Sequence, residues 1–344
     1  MTGTGIYASA PGKIVLCGEY VVLDGARALG AAVNRRVGVS ITASNADSHV
    51  VRCPGYADGH YSFSVDDDGK FEWHDAAQSR PDFSLLEYTW RSLNPSLSTN
   101  VELVLDTSAF SETGTGNKFG LGSSAALTVA LSAAIAGLQQ QQADTESMIA
   151  THRRFQGGRG SGIDIAIAHC GGTVSYQLGD TPRASPLKWM TGLEYAIFWS
   201  GQSASTAQKL AQFAESDEGS RSRENLALAS EAIVNAWVGD GVGGGVEDGV
   251  ERVIRLFDVY TAALAVFSDD HDLGIFDAGH AGMAELAAGH GVVYKPCGAG
   301  GGDVGIALSA SRTSIDDFGV AADKMGFRQI PLNIDDTGLA IGNN

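Results

Sequence analysis

The chain is short of cysteine. Its four thiols, Cys17, Cys53, Cys170 and Cys297, stand far apart among 344 residues, and no C-x-x-C occurs. A chain this long can bury a core without disulfide staples, so the spacing points to a reducing setting. The eight histidines form no H-E-x-x-H and no zinc spacing, so a protein-built metal cage is not expected. Long apolar runs are missing as well: none approaches the ~20 residues that cross a bilayer. The segment Met1–Pro11 lacks the basic start and apolar stretch of a secretory signal. A soluble, cytoplasmic protein is therefore the expectation. Basic residues are scarce, with 23 Lys and Arg against 40 Asp and Glu and a net charge of −17. Nucleic acids and anionic membranes both need clustered cations, so neither is expected as a partner. The acid is mostly Asp, which suits a salt-tolerant surface. No G-x-x-x-x-G-K-[ST] loop occurs either, since Lys118 is followed by Phe119 and Lys13 by Ile14.

What the chain does have is glycine, 45 residues of it, gathered in part into short clusters. The central one is Lys118-Phe-Gly-Leu-Gly-Ser-Ser-Ala-Ala-Leu-Thr128, followed by a run of helix formers to Ala136. Gly120 and Gly122 remove side chains that would hold a bound group off the backbone. Ser123 or Ser124 can cap the helix that follows, and the first turn of that helix offers free N–H groups and a positive dipole end to an anion. The serine hydroxyls can reach a phosphate oxygen or a metal bound to it. The reading is a phosphate cradle on a helix N-terminus, against the plainer one of a small-residue turn into an apolar helix. The stretch also fits G-x-G-x-x-A at Gly120, Gly122 and Ala125, but the dinucleotide pattern should follow a strand directly, and the nearest strand candidate ends near Asp106.

Other segments are placed by period and punctuation. Ile14–Leu16 looks like a buried strand that breaks at Gly18-Glu19-Tyr20 and resumes over Val21–Leu23, and Lys13 beside it either has a partner or a ligand or reaches solvent from the strand end. Alternation predicts strands at 36–43, 49–53, 61–65 and 101–105, with a hairpin turn at Asp66–Gly69. Helices are expected over 82–93 and 144–155, the second capped by Asp144. In this acidic chain His152, Arg153, Arg154 and Arg159 form an unusual basic cluster. Behind it comes the glycine turn Gly160-Ser161-Gly162 and a single acid, Asp164. Polar composition with Pro182 and Pro186 puts a domain boundary within 181–193, giving domains 1–185 and 186–344. Beyond it, strands are expected at 194–200, 304–308 and 327–332, helices at 221–237, 246–268, 277–289 and 315–324, and a flexible connection at 239–249. A third glycine cluster, Gly298-Ala-Gly300-Gly301-Gly302-Asp303, can form an anion-binding nest or a plain hairpin loop.

The Lys13 segment, residues 120–126 and residues 298–303, in that order, resemble the three motifs of the GHMP small-molecule kinases. Gly160-Ser-Gly-Ile-Asp164 and Ser205-Thr206 extend the match, which runs from about residue 8 to 332. Within that superfamily the stretches Gly18-Glu-Tyr20, Lys118–Ala126, Gly157–Asp164 and Lys295–Leu308 are most similar to those of the phosphomevalonate kinases, with Cys297 where that family often has Ser or Ala. The resemblance implies an α+β, two-domain GHMP kinase fold, with an N-terminal domain like ribosomal protein S5 and a C-terminal ferredoxin-like domain. It implies ATP and Mg²⁺, with Lys118, Gly120, Gly122, Ser123, Ser124 and Ala125 at the nucleotide phosphates and Ser124 at the metal. It implies Lys13 and Asp164 in the chemistry, and Arg159, Ser161, Gly162, Gly300, Gly301, Gly302 and Asp303 around the substrate, the glycines shaping the site. The implied substrate is 5-phosphomevalonate, handled by a monomer or homodimer.

Phosphoryl transfer asks a protein for in-line positioning and positive charge. A phosphate monoester is mostly dianionic at pH 7, so a phosphate acceptor needs cations more than it needs a base. His152, Arg153, Arg154, Arg159, Arg35 and Arg36 are the candidates to supply them. Mevalonate kinase, another GHMP kinase, a decarboxylase of mevalonate phosphates and a non-catalytic sensor of the same fold are the alternatives.

Overall fold

A computed structural model describes residues 5–75, 80–204, 209, 212–213, 219–239 and 246–343. The Ser205-Thr206 pair and most of the expected flexible connection at 239–249 lie outside them.

The described residues build two sheets. The first has nine strands. β1 (Ile6–Cys17) and β2 (Ala28–Ala43) form its long central pair. β3 (His49–Cys53), β4 (Ala57–Val65) and β5 (Phe71–Trp73) extend it beyond β6 (Val101–Asp106), which pairs with β2 and runs parallel to β3. β7 (Thr173–Gln177) pairs with the start of β2, and β8 (Arg183–Leu187) pairs with β7. The second sheet has four strands in the order β10-β11-β9-β12, where β9 is Glu194–Trp199, β10 Val293–Pro296, β11 Val304–Ser309 and β12 Arg328–Ile330. The chain then returns to the first sheet, where β13 (Ala340–Asn343) pairs antiparallel with Ile6–Ser9.

Eight helices are described: α1 (Ser84–Leu93), α2 (Ser123–Leu138), α3 (Thr145–Phe155), α4 (Ile163–Cys170), α5 (Arg221–Gly239), α6 (Val246–Asp270), α7 (His280–Ala288) and α8 (Arg312–Lys324). Every residue of α2 from Thr128 to Ala136 is buried. A helix apolar on all sides belongs inside a core, and its alanines let β1 and β2 approach on one side and α1, α3 and α4 on the other. Burying α2 this way fixes the direction in which its N-terminus points.

Two expectations fail locally. Val21–Asp24 is not a resumed strand but a short 3₁₀ turn closed by Gly25 in the left-handed region, so the β1–β2 connection folds back over the site. Residues 181–193 are not simply a polar boundary, because Arg183–Leu187 pairs with β7 in spite of Pro186. An exposed edge strand tolerates proline, whose missing N–H can face solvent. Most other elements fall within a few residues of their expected bounds, but β1 and β2 each begin eight residues before the expected starts at Ile14 and Arg36, and β10 and β13 have no counterpart in the pattern. Asp144 caps α3 through the Ser147 N–H at 2.8 Å.

The halves of the chain are tied by ion pairs. The Arg27 guanidinium meets Glu231 of α5 at 2.5 Å, and Arg223 meets Asp24 at 2.5 Å. Arg36 bonds Asp335 at 2.7 Å and the carbonyls of Thr337 and Gly338, which secures the returning C-terminal segment.

Candidate active site

The site forms where β1, the N-terminus of α2, the N-terminus of α4 and the loop between β10 and β11 converge. The Lys13 N–H donates to the Leu121 carbonyl at 2.9 Å, binding β1 to the central glycine loop. The Lys13 side chain then runs across Gly122, where a Cβ would press against the lysine methylenes. Its ammonium ends 3.4 Å from Asp164 Oδ1, both groups being partly screened from solvent. Of the two readings of Lys13, the structure favours the partnered one.

Gly120 and Gly122 both lie in the left-handed region, at φ 78° and 76°. The space opened by their missing side chains is not left for a ligand, as the sequence suggested. The Asp303 carboxylate fills it at Gly120 and the Lys13 stem at Gly122. Nor do the serines cap α2. Gly122 stands at the cap position with no side-chain hydrogen bond, while Ser123 and Ser124 sit in the first turn. This arrangement favours anion binding more than a serine cap would, because a cap would have consumed one of the free N–H groups.

Two cavities meet here. The first, about 170 Å³, is lined at one end by Tyr56, Phe83, Leu86 and Phe155 and at the other by Lys118, Ser123 and Ser124. An apolar slot ending at a helix N-terminus suits a flat base followed by phosphates. Lys118 is exposed, and its ammonium stands 5.9 Å from the centre of the Tyr56 ring. Ala125 is fully buried one residue inside the turn. Mg²⁺ bound with a nucleotide keeps several waters and takes phosphate oxygens plus one or two protein oxygens. The Ser124 hydroxyl offers one, so the donor set fits.

The second cavity, about 90 Å³, is lined by Lys13, Asp164, His152, Ser161, Gly162 and Gly298, among others. Gly162 caps α4 at φ 88°, which puts Asp164 in the first turn of that helix rather than at its cap. Of the third glycine cluster, Gly298 and Ala299 reach this cavity. Gly300 packs on Ile275, Gly301 on Gly274 and the Lys209 side chain, and the Gly302 carbonyl meets His280 Nε2 at 2.9 Å. Asp303 accepts the Ala204 N–H at 3.0 Å, and burial raises its pKa against the pull of that bond and of Lys13. These four residues brace the loop, and the residues that present it to the cavity are Gly298 and Ala299.

The basic cluster disperses. His152 is 3% exposed, and burial lowers its pKa, opposed by Asp164 and aided by Lys13. Its Nε2 bonds Ser124 Oγ at 3.1 Å, so it serves as a buried neutral ring and not as a cation. Arg153 forks onto the Gly160 and Ser161 carbonyls at 2.8 and 2.9 Å. Arg154 lies over Tyr88, Arg35 over Phe119, and Arg36 on the C-terminal return. Arg159 alone of the six is exposed beside the cavity, on the loop whose next residues, Gly160 and Ser161, line it.

Beneath the second cavity lies a feature the sequence did not announce. Lys295 is wholly buried and bonds Glu19 at 2.5 Å, and Glu19 also accepts from the Tyr260 hydroxyl at 2.5 Å. Desolvation depresses the Lys295 pKa, but the Glu19 carboxylate together with Cys297 and Cys17 outweighs it, and the net shift is upward. Glu19 lines the second cavity, so this buried pair joins its wall to β10 and α6. A lysine beside Pro296 and a glycine loop carries no local signal of burial, and only its partner would have revealed it.

Comparison with known proteins agrees with this geometry. Residues 89–172 match the N-terminal domain of the GHMP kinases. The phosphomevalonate kinase of Streptomyces sp. (strain CL190) is 29% identical, over 90% of this chain and 91% of that one. The mevalonate kinase of Aeropyrum pernix is 31% identical over 51% of each chain. Among solved structures, Streptococcus pneumoniae phosphomevalonate kinase in complex with phosphomevalonate and AMPPNP superposes with a TM-score of 0.76 at 21% identity, covering 95% of this chain and 99% of that one. A Lin0012 protein from Listeria innocua gives a TM-score of 0.80 at 21% identity, covering 98% and 99%. At such identities these structures establish the two-domain GHMP kinase fold. Among the described residues no helix is long and apolar enough to cross a membrane.

Proposed function

We propose that this GHMP kinase transfers the γ-phosphoryl group of ATP to 5-phosphomevalonate, forming 5-diphosphomevalonate. The observation that carries the reading is the adjacency of two cavities across the Ser124–His152 bond, one ending at a helix N-terminus and the other holding the Lys13–Asp164 pair and the Gly160–Gly162 turn. The Streptomyces relative named phosphomevalonate kinase, similar along nearly its whole length, supports the choice of acceptor.

In this reading the nucleotide phosphates lie on the α2 N-terminus with Ser123, Ser124 and Lys118 around them. Bound Mg²⁺, held in part by Ser124, supplies charge to the phosphate oxygens. Lys13 reaches the oxygens of donor and acceptor, where charge must be neutralised for two phosphates to approach. Asp164 fixes the Lys13 ammonium. Ser161 and Gly162 hold the acceptor, and Arg159 closes on its phosphate from the exposed loop. Residues 1–185 and 186–344 are the proposed domains, with cytoplasm as the proposed compartment.

One observation favours a second acceptor. Among the described residues lining the acceptor cavity, Lys13 is the one Lys or Arg. A cavity so poor in cations also suits the hydroxyl of mevalonate, with Asp164 then taking its proton. An acceptor panel with Mg·ATP (mevalonate, 5-phosphomevalonate, homoserine and galactose), with products weighed by mass spectrometry, separates the two. A diphosphate product from 5-phosphomevalonate is expected, and turnover of mevalonate alone would replace this reading with the second. Arg159→Ala should raise KM for 5-phosphomevalonate about tenfold or more while KM for ATP stays within about twofold, since a charge-assisted bond to phosphate is worth ~1.5–3 kcal/mol. Equal small effects on both would remove Arg159 from the site.

A further inference from the structure

The last turn of α3 forms the wall between the two cavities. Phe155 lines the nucleotide side and Gln156, just past the helix end, the acceptor side. His152, one turn earlier, touches both. Its ring lines the acceptor cavity, while its Nε2 bonds the hydroxyl of Ser124, which lines the nucleotide cavity, at 3.1 Å. The ring is held from below by burial, 3% exposed, and stacks on Phe155 with centroids 6.2 Å apart. The Ser124 carbonyl is itself occupied by the Thr128 hydroxyl at 2.9 Å, which anchors the serine backbone. The χ1 of Ser124 is thus the freedom left to that residue, and a serine hydroxyl free to rotate binds a metal or phosphate oxygen poorly because ordering it costs entropy.

We infer that His152 is a positioning residue for the nucleotide, holding the Ser124 hydroxyl from the acceptor side of the wall in the rotamer that meets Mg²⁺ and phosphate. In either tautomer the Nε2–Oγ bond fixes that rotamer, and one hydroxyl lone pair remains directed elsewhere. The acceptor cavity therefore contains a side chain whose principal work is done on the other substrate. The inference rests on the kinase reading above, and it adds a residue that the glycine motifs do not include.

The test is a double-mutant cycle on binding, read by isothermal titration of Mg·AMPPNP in the full chain, with circular dichroism and thermal melting as controls of folding. His152→Leu keeps apolar bulk in the site and removes the bond, while His152→Gln returns a hydrogen-bonding group near the Nε2 position. His152→Leu should weaken Mg·AMPPNP about tenfold, in keeping with the loss of a group that orients a metal ligand. His152→Gln should restore most of that loss. Ser124→Ala should weaken binding similarly, and adding His152→Leu to it should cost no more than about a further twofold, since the bond is already gone. Losses that multiply in the double variant, or a His152→Leu protein that binds Mg·AMPPNP like the wild type, would overturn the assignment. Should His152→Leu not fold, His152→Gln alone decides: binding near wild type supports it, and a loss matching that of Ser124→Ala overturns it. A wild-type protein that fails to bind Mg·AMPPNP at all would overturn the kinase reading along with it.

Discussion

At the scale of single residues, the pairing of Lys13 with Asp164 makes the carboxylate an anchor first. With a phosphate acceptor, whose second ionisation lies near ~6, there is little proton left to remove at pH 7. Asp164→Asn should therefore lower kcat by releasing Lys13, about a hundredfold, yet keep the shape of the pH profile. Activity of wild type and variant alike should fall below about pH 6, as the acceptor itself gains a proton. An acid limb that disappears in the variant would make Asp164 the titrating base. His280 gives a second dependence on pH, this time of stability. Its ring is fully buried between the Tyr294 hydroxyl at 2.8 Å and the Gly302 carbonyl, and burial pushes its pKa down to about 4. The Gly302 carbonyl works against that shift and Lys295 with it. An unfolded histidine titrates near ~6.5, so on acidification the unfolded chain takes up the proton first. The stability due to this group is whole above about pH 6.5 and is lost as pH falls towards 4, about 3 kcal/mol in all. Denaturant midpoints of His280→Gln measured across that range should fall less steeply than those of the wild type. Parallel curves would assign the acid sensitivity to carboxylates. Lys13, Ser123, Ser124 and Asp164 were legible in the sequence because small residues and an isolated charge punctuate apolar runs there. His152 was misread as a cation because its neighbours are arginines, and its burial is decided by α2, far away in sequence.

At the scale of elements, the basic run at the end of α3 divides by helix face, which a linear cluster of charges does not reveal. Arg153 points back over the turn it precedes and holds two consecutive carbonyls with one planar group. The Tyr176 hydroxyl reaches the same Ser161 carbonyl at 2.6 Å, so the acceptor loop is clamped from two sides. Lysine cannot reproduce that fork. Arg153→Lys should raise the acceptor KM about tenfold with little change in KM for ATP, and equal changes in both would show that the loop serves the whole site. The strands were read well where one face is buried, since alternation survives there. Val21–Asp24 was misread because a short apolar run has no period to distinguish a strand from a turn that happens to be buried. The glycines of the central loop take the left-handed conformation their composition suggests, but for another reason than the one read from it. A positive φ is visible in composition, but whether a ligand or a side chain fills the opened space is not.

At the scale of the whole molecule, the buried Lys295–Glu19 pair joins the two sheets under the site. Taking one partner away leaves the other charge without compensation. Lys295→Met should cost about 3–5 kcal/mol of stability in thermal or denaturant melts. Lys295→Met combined with Glu19→Gln should cost less than Lys295→Met alone, because no stranded charge remains. A double variant as unstable as the sum of its parts would mean that the two residues act separately. The two-domain plan is what the resemblance to the GHMP kinases implies, but the cross-links that hold it, from Arg27 to Glu231 and from Arg36 to Asp335, bridge 204 and 299 positions of sequence and leave no local trace.

The return of β13 has a consequence for the order of events during synthesis. The strand that carries Lys13 is paired along Ile6–Ser9 with residues 340–343. Until residues 340–343 leave the ribosome, the outer edge of Ile6–Ser9 stays open, with backbone donors and acceptors unpaired, while α2, the second sheet and the helices around it have already had time to form. The outer edge of β1 is thus enclosed only once β13 has been made. A nascent chain stalled short of residue 340 would expose an edge able to pair with a neighbour on the same message.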